Sequence, residues 1–176
     1  RRTWAADGPH FAMQEVASVA FDTRGDTPRI IVGVMSWHWG PTIAWTDDLG
    51  GTWHETENRA IAFPQDTDAS LGRVWQIQPD TADRPGVIWA GCEPTSLWRS
   101  GDGGESFVLV RGLWDHPHRK QWAPGFGGAA VHTIVPDPES SKVTVAMSTG
   151  GVYVSDDGAT GWTPRNRGIS AKFFPD

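Results

Sequence analysis

An octapeptide recurs along this chain at a nearly fixed interval. Thr46-Asp47-Asp48-Leu49-Gly50-Gly51-Thr52-Trp53 and Ser100-Gly101-Asp102-Gly103-Gly104-Glu105-Ser106-Phe107 share one pattern: a hydroxyl residue, Asp two places later, Gly two places after that, then Thr or Ser, then an aromatic. A degenerate third copy, Ser155-Asp156-Asp157-Gly158-Ala159-Thr160-Gly161-Trp162, keeps the hydroxyl, the Asp and the aromatic, but has Ala159 in place of the Gly and Gly161 in place of the Thr. The aspartates Asp48, Asp102 and Asp157 lie 54 and 55 residues apart, so the chain is an array of one structural unit.

The surroundings of each copy repeat as well. Val16–Asp22, Val74–Asp80 and Val131–Asp137 are short apolar runs that end at an Asp turn, and their closing aspartates are 58 and 57 residues apart. A second run follows in every unit (Arg29–Val34, Gly86–Gly91, Lys142–Met147), rich in the β-branched and aromatic residues that suit strands. A third run leads into each octapeptide and a fourth leaves it. Four strands per unit of about fifty residues predict an all-β chain, a β-propeller of four-stranded antiparallel blades. The predicted division is an outer strand and connection over 1–14, blades over 15–72 and 73–129, and a blade with an exit segment over 130–176.

The octapeptides resemble the Asp-box (BNR) repeats of sialidases, other glycosidases, sortilin-type receptors and uncharacterised bacterial propellers. That resemblance implies a structural role for Thr46, Asp48, Gly50, Trp53, Ser100, Asp102, Gly104, Phe107, Ser155, Asp157 and Trp162: the box closes the hairpin between the third and fourth strands. The Ala at 159 places the third turn's geometry in question. Propellers close with roughly four to eight blades, and the opening Thr3-Trp4 matches the end of a box. The expectation is therefore that about three blades belong to a larger propeller, completed by further blades or by another chain, since open strand edges invite association.

A formal charge of −6 argues against a nucleic-acid groove or an anionic membrane surface, both of which require clustered Lys and Arg. Cys92 is the sole cysteine, so nothing demands an oxidising compartment, and a cytoplasmic setting is the expectation. No cofactor is expected. His116 and His118 flank Pro117, but zinc needs three or four converging ligands, and no metal is assigned.

In a blade the strands alternate direction, so the turn between second and third strands and the connection to the next blade emerge opposite the boxes. Residues on that face with no evident structural duty are the candidate ligand contacts: Trp37, His38, Trp39, Glu93, His116, His118, Arg119, Trp122 and His132. Tryptophans there would stack on a ligand, while the histidines and Arg119 would hydrogen-bond it. Glu93 would accept a hydrogen bond. Two functions are compatible with this pattern. One is a non-catalytic binding or scaffold module for a protein or glycan partner, since Trp and Arg carry disproportionate interface energy. The alternative is a carbohydrate-active propeller in which Glu93 transfers a proton and the remaining catalytic residues lie in further blades. Against a sialidase-type site, Thr27-Pro28-Arg29-Ile30 is no Phe-Arg-Ile-Pro motif, and the sole tyrosine, Tyr153, stands in a third strand.

Overall fold

The computed structural model describes residues 3–56 and 58–169, and in them the repeat becomes three four-stranded antiparallel sheets. The first blade is β1 (Val16–Asp22), β2 (Arg29–Ser36), β3 (Gly40–Thr46) and β4 (His54–Glu55). The second is β5 (Arg73–Pro79), β6 (Ile88–Glu93), β7 (Ser96–Ser100) and β8 (Val108–Leu109). The third is β9 (Val131–Pro136), β10 (Val143–Met147), β11 (Gly151–Ser155) and β12 (Thr163–Pro164). Within every sheet the strands follow chain order, and the first strands β1, β5 and β9 lie beside one another. These are propeller blades, as the repeat predicts.

β2 and β6 read as nearly unbroken apolar runs because the sheets stack face to face and bury their middle strands on both sides. Ile31, Ile43 and Trp45 of blade one meet Ile77, Ile88 and Trp98 of blade two. On the far side of blade two, Trp89 and Leu97 meet Val131, Ile134, Val143 and Tyr153. Trp89 and Trp98 thus anchor the two seams, each almost wholly buried. Their indole N–H groups are satisfied internally, by Asp80 at 2.8 Å and Ser96 at 3.0 Å respectively. Truncating either would cost about 3–5 kcal/mol.

Close blade contact needs a missing side chain at one register position. A Cβ on Gly33 would stand 2.7 Å from Val74 Cβ, and one on Gly91 would collide with the Val131 carbonyl. Across the first seam the Ser18 hydroxyl donates to the Val74 carbonyl at 2.8 Å, and across the second the Ile134 amide donates to Gln76 Oε1 at 2.9 Å. Side chains thereby satisfy backbone groups that strand pairing leaves open.

The box turns share one hydrogen-bond design. Thr46 and Ser100 donate their hydroxyls to Asp48 and Asp102, both at 2.6 Å, and accept the amides of Gly50 and Gly104 at 3.0 and 2.9 Å. Each aspartate then takes the amide four residues on, Thr52 at 2.8 Å and Ser106 at 3.0 Å. The third turn has the same bonds, Ser155 to Asp157 at 2.7 Å and Gly161 N–H to Asp157 at 2.9 Å, so the substitution at 159 does not unmake it. Instead Ala159 is held at a φ of 75°, where its counterparts Gly50 and Gly104 stand at 101° and 97°.

A second repeated device was not visible as a motif. Arg24 pairs with Asp22 at 2.7 Å and reaches into blade two, donating to the carbonyls of Arg84 at 3.1 Å and Val87 at 3.0 Å. Arg84 in turn pairs with Asp80 at 3.2 Å and donates to the carbonyls of Asp137 and Ser140 in blade three, at 2.8 and 3.2 Å. Blade three has Lys142 instead, 3.2 Å from its own Asp137.

From Thr3 to Glu15, where the sequence reading expects an outer strand of a preceding blade, no strand forms. The segment crosses blade one, setting Phe11 edge-on to Trp53 with ring centroids 4.6 Å apart and His10 Nδ1 as acceptor of the Trp53 indole N–H at 3.2 Å. Val32, Val34 and Ala44 gain a cover in this way.

Candidate functional site

Strand alternation carries the β2–β3 and β6–β7 turns, with the chain entering β1, β5 and β9, to the end of the sheets opposite the box turns. A continuous line of contacts crosses all three blades there. The Trp37 amide donates to Gln14 Oε1 at 3.2 Å, which ties the blade-one turn to the approach to β1. Next along the chain, Glu15 forms an ion pair with Arg73 of β5. Arg73 Nε lies 2.6 Å from Glu15 Oε1 in a bent geometry, and the Arg73 terminal nitrogen donates to Oε2 at 3.1 Å. The same guanidinium lies 4.8 Å from the Trp75 ring centre, over its face. Trp75 Nε1 donates to Glu93 Oε2 at 3.2 Å. On the other side Trp75 meets His132 of β9 edge to face at 5.0 Å, and His132 Nε2 shares a 2.6 Å hydrogen bond with Ser148 Oγ.

Register explains why these residues meet. Arg73 pairs directly with Glu93 across β5 and β6, and a bulge between Val74 and Gln76 turns Trp75 toward the shared axis. A groove of about 420 Å³ runs inward from Trp75 along Val19, Phe21, Gln76 and Gln78. The line is therefore a rim at this end of the three first strands, where the groove begins. Over it folds a glycine-rich finger, Gly125-Phe126-Gly127-Gly128, closed by paired backbone bonds between Gly125 and Gly128 at 3.1 and 3.2 Å. Gly128, at a φ of 83°, packs against the Glu93 carboxylate: a Cβ there would stand 2.7 Å from Oε1. Phe126 at the tip is fully exposed, as is most of Met13 and Trp37 on the same end.

The candidates in the connection after β8 sit apart from this line, His116, His118 and Trp122 at the seam between blades two and three and Arg119 on Trp114, which packs in the seam between blades one and two. The connection after β8 makes a four-residue helix, α1 (Arg111–Trp114), then a 3₁₀ turn over Pro117–Gln121. Arg119 stacks 3.3 Å from the centre of the Trp114 ring and donates to the Thr95 carbonyl. Burial pulls its guanidinium pKa below the ordinary value. His118 Nδ1 lies 3.0 Å from the Tyr153 hydroxyl, which also accepts the Trp122 indole N–H at 3.2 Å. His116 packs on both Trp122 and Tyr153. Burial, and then the neighbouring His118, hold the His116 pKa below its usual value. His116, His118 and Trp122 thus spend their main surfaces on the second seam, and Arg119 on Trp114. In blade one, His38 and Trp39 pack on each other, with both amides on Ser36 Oγ.

The structure thus sets Glu93 and His132 on either side of Trp75 on this rim, with Trp37 at the blade-one end of the same line, and holds the rest apart from it. Trp75, Glu15, Arg73 and Ser148 complete the rim and stand outside the nine contacts named above. The signal for Trp75 was available, since it occupies the first-strand position that is Ala17 in blade one and His132 in blade three. Among the described residues, no group of three or more His, Cys, Asp or Glu is placed to hold a metal ion.

No protein-family model matches the chain, and no curated protein matches it. Solved β-propeller structures do. The GH74 xyloglucanase of Xanthomonas campestris superposes with a TM-score of 0.57 at 18% identity, over 85% of this chain and 23% of the enzyme. YCF48 bound to a D1 peptide gives 0.47 at 17% identity, over 94% of this chain and 44% of that one. YCF48 from Cyanidioschyzon merolae gives 0.48 at 14%, over 88% and 38%. The chain spans less than a quarter of the xyloglucanase and under half of either YCF48, and the likeness to the xyloglucanase shows a shared fold.

Proposed function

We propose that this chain is a non-catalytic propeller binding module whose rim opposite the Asp-box turns engages a protein partner. The observation that carries the reading is the rim line itself, from Trp37 through Glu15, Arg73, Trp75 and Glu93 to His132, with exposed Met13, Trp37 and Phe126 around it. Large apolar side chains ringing an ordered polar floor are the composition of a protein-binding surface, in which aromatic and Arg anchors dominate the energy.

Two features favour a protein over a glycan. A sugar platform needs open indole faces, and of the tryptophans on this end Trp37 is exposed while three others are covered. Arg73 covers one face of Trp75 and His132 packs against the same ring, Trp114 lies under Arg119, and Trp122 is stacked by His116. Acid–base hydrolysis, in addition, wants two independent carboxylates across a cleft. Glu15 is engaged by Arg73, and Glu93 is tethered to Trp75.

The test is a parallel selection of the chain against a displayed heptapeptide library and an oligosaccharide array. Enriched peptides whose binding falls at least tenfold in Trp37→Ala, but not in the opposite-rim variant Asp156→Asn, would support the reading. Enrichment of oligosaccharides alone, or of peptides insensitive to Trp37→Ala, would overturn it.

A further inference from the structure

The charges on the rim do not balance, and the imbalance sits on one side chain. Glu15 and Arg73 neutralise each other. Arg73 faces Glu93 in the β5–β6 register yet turns to Glu15 and the Trp75 ring, and no cation among the described residues comes within ion-pair distance of Glu93. A carboxylate offers about four acceptor sites. Glu93 has one occupied, by a 3.2 Å bond from Trp75.

The neighbouring backbone donors are committed elsewhere. Gly128 N–H goes to the Gly125 carbonyl at 3.1 Å, and Gly72 N–H goes to the backbone carbonyl of Glu93, not to its side chain, at 2.8 Å. Gly128 leaves no side chain beside Oε1, and the finger it closes displays Phe126 two residues away. A partner docking over this finger strips water from a carboxylate that the chain itself does not compensate. Such a loss is unfavourable unless the partner brings charge and donors. An aromatic at the edge of the site adds attraction for a cation and none for an anion.

Building on the binding-module reading, we propose that Glu93 is the receptor for a basic side chain, lysine or arginine, presented by the partner between the 125–128 finger and Trp75. The partner segment is therefore a cationic peptide stretch with apolar neighbours. The Lys or Arg head meets Oε1, and the apolar residues lie on Phe126 and the exposed Trp37.

The experiment compares heptapeptide selections on the intact chain, on Glu93→Gln and on Asp156→Asn. Glu93→Gln removes one charge but keeps shape and an acceptor for Trp75, and Asp156→Asn removes the same charge from the exposed box rim. The expected result is a fixed Lys or Arg in peptides selected by the wild type, a preference reduced at least tenfold in Glu93→Gln and unchanged in Asp156→Asn. Acetylating that lysine, or replacing that arginine by citrulline, should weaken wild-type binding at least tenfold, a readout that does not depend on how any variant folds. If the wild type selects no peptides, the binding-module reading fails. If it selects peptides without a basic position, or with one that acetylation or citrulline does not weaken, the Glu93 assignment fails and the module reading stands. An equal loss in both charge variants would reduce the preference to net charge and overturn the assignment too.

Discussion

Exchanging the residues at the fifth position of the second and third boxes tests how the repeat is built. Gly104 and Ala159 are equivalent: both amides bond the box hydroxyl, at 2.9 Å, and both backbones are left-handed, at φ of 97° and 75°. For Gly104→Ala there is room, since the new Cβ would meet Ile31 at 3.5 Å and Ile88 at 3.9 Å, ordinary contact distances. The cost is then conformational. A positive φ costs an L-residue about 1–2 kcal/mol, against the few tenths to about 1 kcal/mol gained by restricting the unfolded chain. Gly104→Ala should lower stability by the difference, about 0.5–1.5 kcal/mol, or about 1–6 °C in Tm for a domain of this size. Ala159→Gly should do the reverse in sign and less in size, because the relief at φ 75° is partly offset by the lost burial of the Ala159 methyl, which is 6% exposed. Urea unfolding at constant m-value measures both. A Gly104→Ala protein as stable as the wild type, or an Ala159→Gly protein destabilised by more than about 1 kcal/mol, would refute the claim that backbone strain at the fifth position sets the third box apart from the first two.

Three further expectations follow from contacts between blades. Arg24→Ala should destabilise by about 1–3 kcal/mol, because carbonyls of blade two lose their donor, whereas Lys142→Ala, which breaks a pair within one blade, should cost under about 1 kcal/mol; equal losses would disprove the inter-blade clamp. Tyr153→Phe should cost about 1–2 kcal/mol by stranding Trp122 Nε1 and His118 Nδ1, and a neutral result in thermal unfolding would contradict this. His116 is lowered in the folded state, so the unfolded chain binds its proton first: its contribution is complete above about pH 6.5 and is lost as pH falls from there toward the folded value. His116→Gln should flatten the pH dependence of stability in that interval, and an unchanged slope would show the seam is not what lowers it.

The fold was legible because its two periods are long and redundant. Three boxes, three Asp-terminated first strands and three apolar second strands all demanded the same hairpin order, and each satisfied its own turn chemistry locally. The third box illustrates the limit of reading a motif by its letters. Ala159 breaks the pattern, but Ser155 and Asp157 still supply the bonds that fix the turn, so the backbone absorbs the substitution as a positive φ. The Arg clamps escaped notice for the opposite reason. Arg24 and Arg84 differ in their spacing from Asp22 and Asp80, and what repeats is the set of carbonyls they reach in the next blade, which has no sequence signature.

Three of the nine candidate contacts fall on the rim line, and the boundary of legibility lies where side-chain direction begins to matter. Strand alternation delivers these loops to the end opposite the boxes, and there Glu93, His132 and Trp37 fall along one line of contacts. It says nothing of whether a residue in a long connection looks toward the axis or back into a seam. His118 and Trp122 turn back onto the hydroxyl of Tyr153, which is buried between two sheets and takes its polar partners from this connection, and His116 packs on the Tyr153 ring. A bulge makes the complementary correction at Trp75: one residue of slip between Val74 and Gln76 re-aims an indole that strict alternation assigns no role. Once Trp75 stands on the rim, Arg73 and Glu93 meet it from adjacent strands. Arg73 has Glu15 within reach, so the carboxylate of Glu93 is the charge left for a partner to answer.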